Sequence, residues 1–196
     1  MTHFDPAHQP LPVILFWLTF LAWACFWVTM ALRKNTISSV ADRGSRLVIV
    51  TSLWSGVLLA FLFAWLVPAT RIGGSGWIQV IIGGCLVGAG IGLRIWAIRT
   101  LGRFFRTVVV IQEDHQLVDD GPYQMLRHPS YAGTLLSVVG VGIGLGNWLS
   151  TLAVVALTLA GFVRRIILEE SVLRDQFGAS FQAYAKRTWR VVPLVW

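Results

Sequence analysis

The chain has 196 residues, 56% of them hydrophobic, and a mean hydropathy of +0.69. Only 13% are charged, where a soluble domain of this size carries roughly a quarter, so the composition excludes an ordinary soluble fold and indicates a polytopic membrane protein. The net charge of +7 is a topology signal before it is a nucleic-acid signal.

Residues 1–10 are polar and hold Pro6 and Pro10 but no Lys or Arg. The first uncharged run, Leu11 to Leu32, lacks a basic leader and is too long for a signal-peptide core, so it is expected to stay as a membrane helix. A basic loop follows with Arg33, Lys34, Arg43 and Arg46, then a second uncharged span from Leu47 to Val67. After a short loop carrying Arg71, a third span runs from Gly76 to Leu93, with an extension past Arg94 to Ile98. Gly84, Gly88 and Gly92 recur every four residues in it, a spacing that brings helix backbones close together. Gly88-Ala89-Gly90 is not a dinucleotide loop, because no strand precedes it. Cys25 and Cys85 sit in apolar runs and read as small buried hydrophobes.

Residues 99–132 form the longest polar connection, a length that usually signals function. Its β-branched run from Thr107 to Ile111 suggests an extended segment, and Arg103-Phe104-Phe105-Arg106 suits contact with anionic lipid headgroups better than nucleic acid. Thr134 to Val163 is 30 residues without a charge, and Gly146-Asn147 near its centre reads as a turn. Folding it as a hairpin gives five spans and places fifteen of the sixteen basic residues on one face. The positive-inside rule then puts the N-terminus outside and the C-terminus in the cytoplasm. In the tail, Glu169, Leu173, Phe177, Phe181 and Tyr184 share a helical face interrupted at Gly178, and Trp189 to Trp196 is expected to tuck against the body or anchor at the interface. The expected architecture is an all-α integral membrane protein, residues 1–196 forming one domain. Spans fill 11–98, and residues 99–196 form the half that carries the site.

The segment from Gly121 to Gly133 concentrates the chemistry. Pro129 biases His128 away from helical backbone, so Arg127 and His128 stand on stiff, irregular chain at the mouth of a membrane helix. Four groups can converge on the same face: His115; Tyr123, Arg127, His128 and Tyr131; Glu169-Glu170; and Arg187 with Arg190. Glu169 should point inward with the aromatic stripe, whereas Glu170 has a simpler explanation as a surface pair with Arg174. No metal spacing, catalytic triad order or strained Gly-x-Ser-x-Gly turn is present.

Leu101-Gly102, His115-x-Leu117-Val118, Gly121-Pro122-Tyr123, Arg127-His128-Pro129-x-Tyr131-x-Gly133, Glu169-Glu170-x-x-Leu173 and Phe177-Gly178, followed by Tyr184, Arg187, Arg190 and Pro193, occur in this order. Over residues 99–196 this pattern resembles the isoprenylcysteine carboxyl methyltransferase family, within a wider group that includes membrane phospholipid methyltransferases. The resemblance implies transfer of a methyl group from S-adenosylmethionine to the carboxylate of a lipidated cysteine. It implies cofactor contacts from His115, Leu117, Val118, Tyr123, His128, Tyr131, Glu169 and Glu170, in a pocket open to the cytoplasm. Arg127 and Arg190 are the candidates for orienting the substrate carboxylate. A carboxylate is ionised at neutral pH, so the reaction needs proximity and water exclusion more than a general base. The competing readings are a phospholipid or small-amine methyltransferase, a sterol-type reductase using NADPH, and a non-enzymatic membrane binder. The expected partners are the lipidated acceptor and membrane lipids, with no nucleic acid; nothing in the sequence argues for or against a homo-oligomer.

Overall fold

The computed structural model describes residues 10–32, 44–102 and 117–195. Five helices carry the chain: α1 (Pro10–Leu32), α2 (Ser45–Leu66), α3 (Gly76–Leu101), α4 (Pro129–Gly144) and α5 (Trp148–Arg187). Short 3-10 turns at Pro68–Thr70 and Gly121–Gln124 complete the framework, and the described residues contain no strand beyond two isolated bridges. The expected stretch around Thr107 to Ile111 lies outside the described residues, as do His115 and the Arg103–Arg106 cluster.

The hairpin expected within 134–163 forms as α4 and α5, and its turn is fixed by hydrogen bonds. Gly146 takes a left-handed φ of 66°, and Asn147 caps α5 by accepting from the Ser150 N–H at 2.9 Å. The Asn147 amide also donates to the Val67 carbonyl at 3.0 Å, while the Ile72 N–H reaches the Gly146 carbonyl at 2.8 Å. The α4–α5 turn is thereby tied to the α2–α3 loop.

Four helices, α1, α2, α3 and α5, are long and apolar enough to cross a membrane, and the chain is a multi-pass membrane protein. The expected fifth span is α4, an apolar helix whose 16 residues reach about 24 Å against a hydrocarbon core of ~30 Å. α3, by contrast, continues through Arg94 to Leu101. Arg94 meets the first turn of α4, so α3 and α5 both run past the α4 start and leave it recessed by about 10 Å.

The α3–α4 contact is the closest in the bundle, and it does not use the glycines that the four-residue spacing suggested. A Cβ at Gly88 or Gly92 would meet nothing within 4 Å, and one at Gly84 only Thr19. A Cβ at Gly83 would lie 2.6 Å from the Gly140 carbonyl oxygen, and one at Gly140 would lie 2.5 Å from that of Gly83. Gly90 and Gly133 repeat the arrangement one heptad along, which is the spacing of two antiparallel helices in sustained backbone contact. Trp23, Leu53, Val57, Ala60, Val138 and Val154 fill the core. Leu11, Leu18, Trp65, Ile81 and Leu152 are exposed, as suits side chains facing lipid. Cys25 and Cys85 join that outward surface and are not buried, because an apolar run in a bilayer has no need to hide its small hydrophobes.

Gly140→Val should cost about 1–3 kcal/mol or prevent folding, since the new branches meet backbone that cannot yield. Gly88→Ala should leave thermal unfolding in detergent unchanged. Equal effects of the two substitutions would contradict this packing.

Candidate active site

The recessed start of α4 is where the polar residues gather. Gly121 adopts a φ of 55°, and the 3-10 turn that follows brings Tyr123 and Leu126 inward. His128 is the N-cap of α4, with φ −126° and ψ 58°, the non-helical backbone that Pro129 enforces. The C-terminal segment folds back alongside it. The Trp189 N–H donates to the Met125 carbonyl at 3.0 Å, the Arg127 N–H to Trp189 at 2.7 Å, and the His128 N–H to Arg190 at 2.9 Å. Val191 drops into an apolar cluster with Leu126, Phe162 and Ile166. Trp189 to Val191 thus tuck against the body, while Leu194 and Val195 are exposed.

Helix α5 delivers both carboxylates to this place. Glu170 Oε1 accepts from Arg127 Nε at 2.8 Å, and Arg190 bonds both Glu170 oxygens at 3.0 to 3.1 Å. The expected surface pair of Glu170 with Arg174 is not what forms: Glu170 is buried and Arg174 exposed, because the arginines of the Arg127 turn and the tail offer a desolvated partner. Glu169 Oε1 accepts from Tyr131 Oη and from Arg165 Nε, both at 2.8 Å. The His128 ring lies between the two acids, Nε2 3.4 Å from Glu170 Oε1 and Nδ1 3.5 Å from Glu169 Oε2. Its face stacks on Tyr131 at 5.6 Å, and Tyr131 leans on Phe162 at 4.7 Å.

Arg127 does more than pair. Its Nη1 donates to the Ala185 carbonyl at 2.8 Å and to the carbonyl of Thr188, so one guanidinium ties the end of α5 to the α4 start. Tyr184 Oη donates to the Tyr123 carbonyl at 2.8 Å, a second strap across the same gap. Leu117 and Val118 are half-buried at the edge of the cluster, where the neighbouring Asp119 pairs with Arg187. Among the described residues the structure thus unites Tyr123, Arg127, His128, Tyr131, Glu169, Glu170 and Arg190. Sequence reasoning missed Arg165, which is fully buried and also reaches Ser45 Oγ at 2.6 Å. Its spacing of four before Glu169 was the available signal. No group of His, Cys, Asp and Glu among the described residues could hold a metal ion.

Burial alone would lower the His128 pKa, but hydrogen bonds and charge from Glu169 and Glu170 outweigh it and raise the imidazole above its ordinary value. Burial, and then the charge of Glu169, push the Tyr123 phenol up as well. The Tyr123 phenol is therefore neutral at neutral pH, and the imidazole is biased toward its protonated form.

A profile of the phospholipid methyltransferase family matches residues 78–180, just over half of the chain. A protein-S-isoprenylcysteine O-methyltransferase of Dictyostelium discoideum is 30% identical over 181 residues, covering 89% of this chain and 73% of that protein. The chain belongs to the isoprenylcysteine carboxyl methyltransferase family. Protein-S-isoprenylcysteine O-methyltransferase B of Arabidopsis thaliana is 41% identical over 105 residues, and that match spans 53% of each protein. The chain thus spans about half the length of that relative. A solved structure, described as the eukaryotic intramembrane Ras methyltransferase isoprenylcysteine carboxyl methyltransferase, superposes with a TM-score of 0.63 at 26% identity, over 94% of this chain and 68% of that one. The family likeness extends through α1 and α2, which carried no recognisable motif.

Two outcomes are expected of this cluster. Glu170→Gln, which strands buried cations, should lower stability by about 3–5 kcal/mol in thermal or denaturant unfolding. Because the folded His128 pKa is raised, its stabilisation is complete below its unfolded pKa of about 6.5 and is lost as pH rises through the folded value. The difference in melting temperature between wild type and His128→Gln should therefore shrink from about pH 6 toward alkaline pH, and a difference growing with pH would contradict the assignment.

Proposed function

We propose that this protein methylates the C-terminal carboxylate of an isoprenylated cysteine, taking the methyl group from S-adenosylmethionine. The observation that carries the reading is that the imidazole lies between Glu169 and Glu170, which raise its pKa, and that both acids are paired with arginines. Such a site offers no obvious base to an amine nucleophile, and a carboxylate needs none.

The residues fit the cofactor. Glu170 is saturated by Arg127, Arg190 and His128, whereas Glu169 keeps 20% of its side chain exposed and makes only a 3.5 Å contact through Oε2. Glu169 is therefore the acid that holds the cofactor's amino group, and Glu170 positions His128 and the arginines around it. Leu117, Val118, Tyr123 and Tyr131 supply the apolar and aromatic walls, and the family resemblance adds His115. When bound, S-adenosylmethionine supplies an electrophilic sulfonium methyl: a C–O bond to the acceptor forms, the S–CH3 bond breaks, and its electron pair stays on sulfur. The chain's own part is to align, to exclude water and to hold charge. Arg190, still 31% exposed, is the arginine able to turn toward an incoming carboxylate; Arg127 is spent on Glu170 and the end of α5. The bias of basic residues toward one side of the chain's spans supports a cytoplasmic location for this face.

A second reading, an amine acceptor on a phospholipid, draws on the description of the matching family profile. Calorimetry of the detergent-purified protein should show binding of S-adenosylhomocysteine and none of NADPH; the reverse would overturn the reading. Glu169→Gln should weaken that binding about tenfold. The rate with a farnesylated cysteine should not rise with pH through the alkaline range, whereas an amine acceptor would make it rise.

A further inference from the structure

Three buried side-chain atoms among the described residues have no hydrogen-bond partner: Trp27 Nε1, Arg94 Nε and Thr158 Oγ1. Two of them adjoin, because the Arg94 guanidinium sits 5.9 Å from the Trp27 ring centroid at the contact of α1 with α3. A buried donor without an acceptor is rare enough to need a reason, and these two belong to neighbouring side chains. The ring face partly offsets the charge of Arg94, but it gives Nε nothing to bond.

Arg94 also differs from its neighbours in its partners. Arg127, Arg165 and Arg190 each meet a glutamate. The hydrogen bonds of Arg94 among the described residues go to neutral oxygens, the Ser130 carbonyl at 3.3 Å and Thr134 Oγ1. A guanidinium inside a membrane helix with only neutral partners is costly unless an anion joins it. Ser130 adjoins Tyr131, the residue that binds Glu169, so Arg94 lies on the α3 side of the same α4 turn. α1 exposes Leu11, Ile14, Leu18, Leu21 and Val28 along one face toward lipid and packs by the other, the face that carries Trp27.

We infer that Arg94 and Trp27 form a receiving site for the acceptor's carboxylate, with both orphan N–H groups donating to its oxygens. This rests on the proposed acceptor and extends it by naming, beside Arg190, two further groups that recognise the anion. It also accounts for release: the esterified product has lost the negative charge, so the donors that hold the acid hold the ester poorly.

The test is equilibrium binding to the full-length protein in detergent, using N-acetyl-S-farnesylcysteine, its methyl ester, and a single-chain lysophosphatidic acid. Wild type should bind the acid about tenfold more tightly than the ester. Arg94→Gln should bring that ratio to about one and Trp27→Phe should reduce it, while S-adenosylhomocysteine affinity stays at the wild-type value and certifies the fold. If Arg94→Gln does not fold, Trp27→Phe carries the test alone. An acid-to-ester ratio unchanged in the variants that fold would overturn the inference. Arg94-dependent binding of the lysophosphatidic acid in preference to the farnesylated acid would also overturn it and assign the site to a lipid phosphate. Wild type that binds S-adenosylhomocysteine but neither cysteine compound would refute the proposed acceptor, and this inference with it.

Discussion

Two carboxylates on adjacent residues of one helix, taken out of water together, are the constraint on which the rest depends. Glu169 and Glu170 would repel each other and resist burial unless each found cations of its own. They find them from different parts of the chain: Arg165 one turn earlier on α5, Arg127 and His128 at the start of α4, and Arg190 from the returning tail. His128 alone touches both acids, which makes it the centre of the cluster. Because the partners come from three segments, the cluster can form only when α4, α5 and the tail are all in place. It is a device for registering these elements as much as a site.

The helices prepare that placement. Backbone contact between α3 and α4 through Gly83, Gly90, Gly133 and Gly140 leaves no side chain to act as a spacer, so the register of α4 is fixed to within a residue. The Asn147 turn holds the far end. A short α4 then sets its first turn below the ends of α3 and α5, so polar groups with fixed geometry lie within reach of a chain dissolved in the bilayer. For the proposed lipid-anchored acceptor and water-soluble cofactor, that depth is a place where both can meet.

Much of this was legible in the sequence, and the failures are instructive. Charge counting decided between one long helix and a hairpin in residues 134–163, and the Gly146-Asn147 turn is where it was expected. Pro129 announced the irregular backbone at His128. What could not be read were choices among equivalent residues. Glu170 had a local partner in Arg174, and only the fold reveals that distant arginines win because they are buried with it. The α3 glycines offered two registers, 84/88/92 and 83/90. The sequence spacing favours the first, yet the partner glycines on α4 recur every seven residues and select the second. Arg94 and Arg165 read as ordinary basic residues flanking a span, since burial of a cation depends on neighbours that sequence order does not show.

The account's central claim is that the cluster is one cooperative unit, and a double-mutant cycle on Arg127 and Glu170 tests it most directly. Unfolding free energies of Arg127→Gln, Glu170→Gln and the double variant would be measured in detergent, alongside wild type. The account predicts strong coupling: each single change costs several kcal/mol, and the double costs less than their sum by a coupling energy of about 2–3 kcal/mol. Additive losses would contradict it. They would mean that Arg127 acts through the α5 terminus alone and that the buried carboxylates do not organise the site.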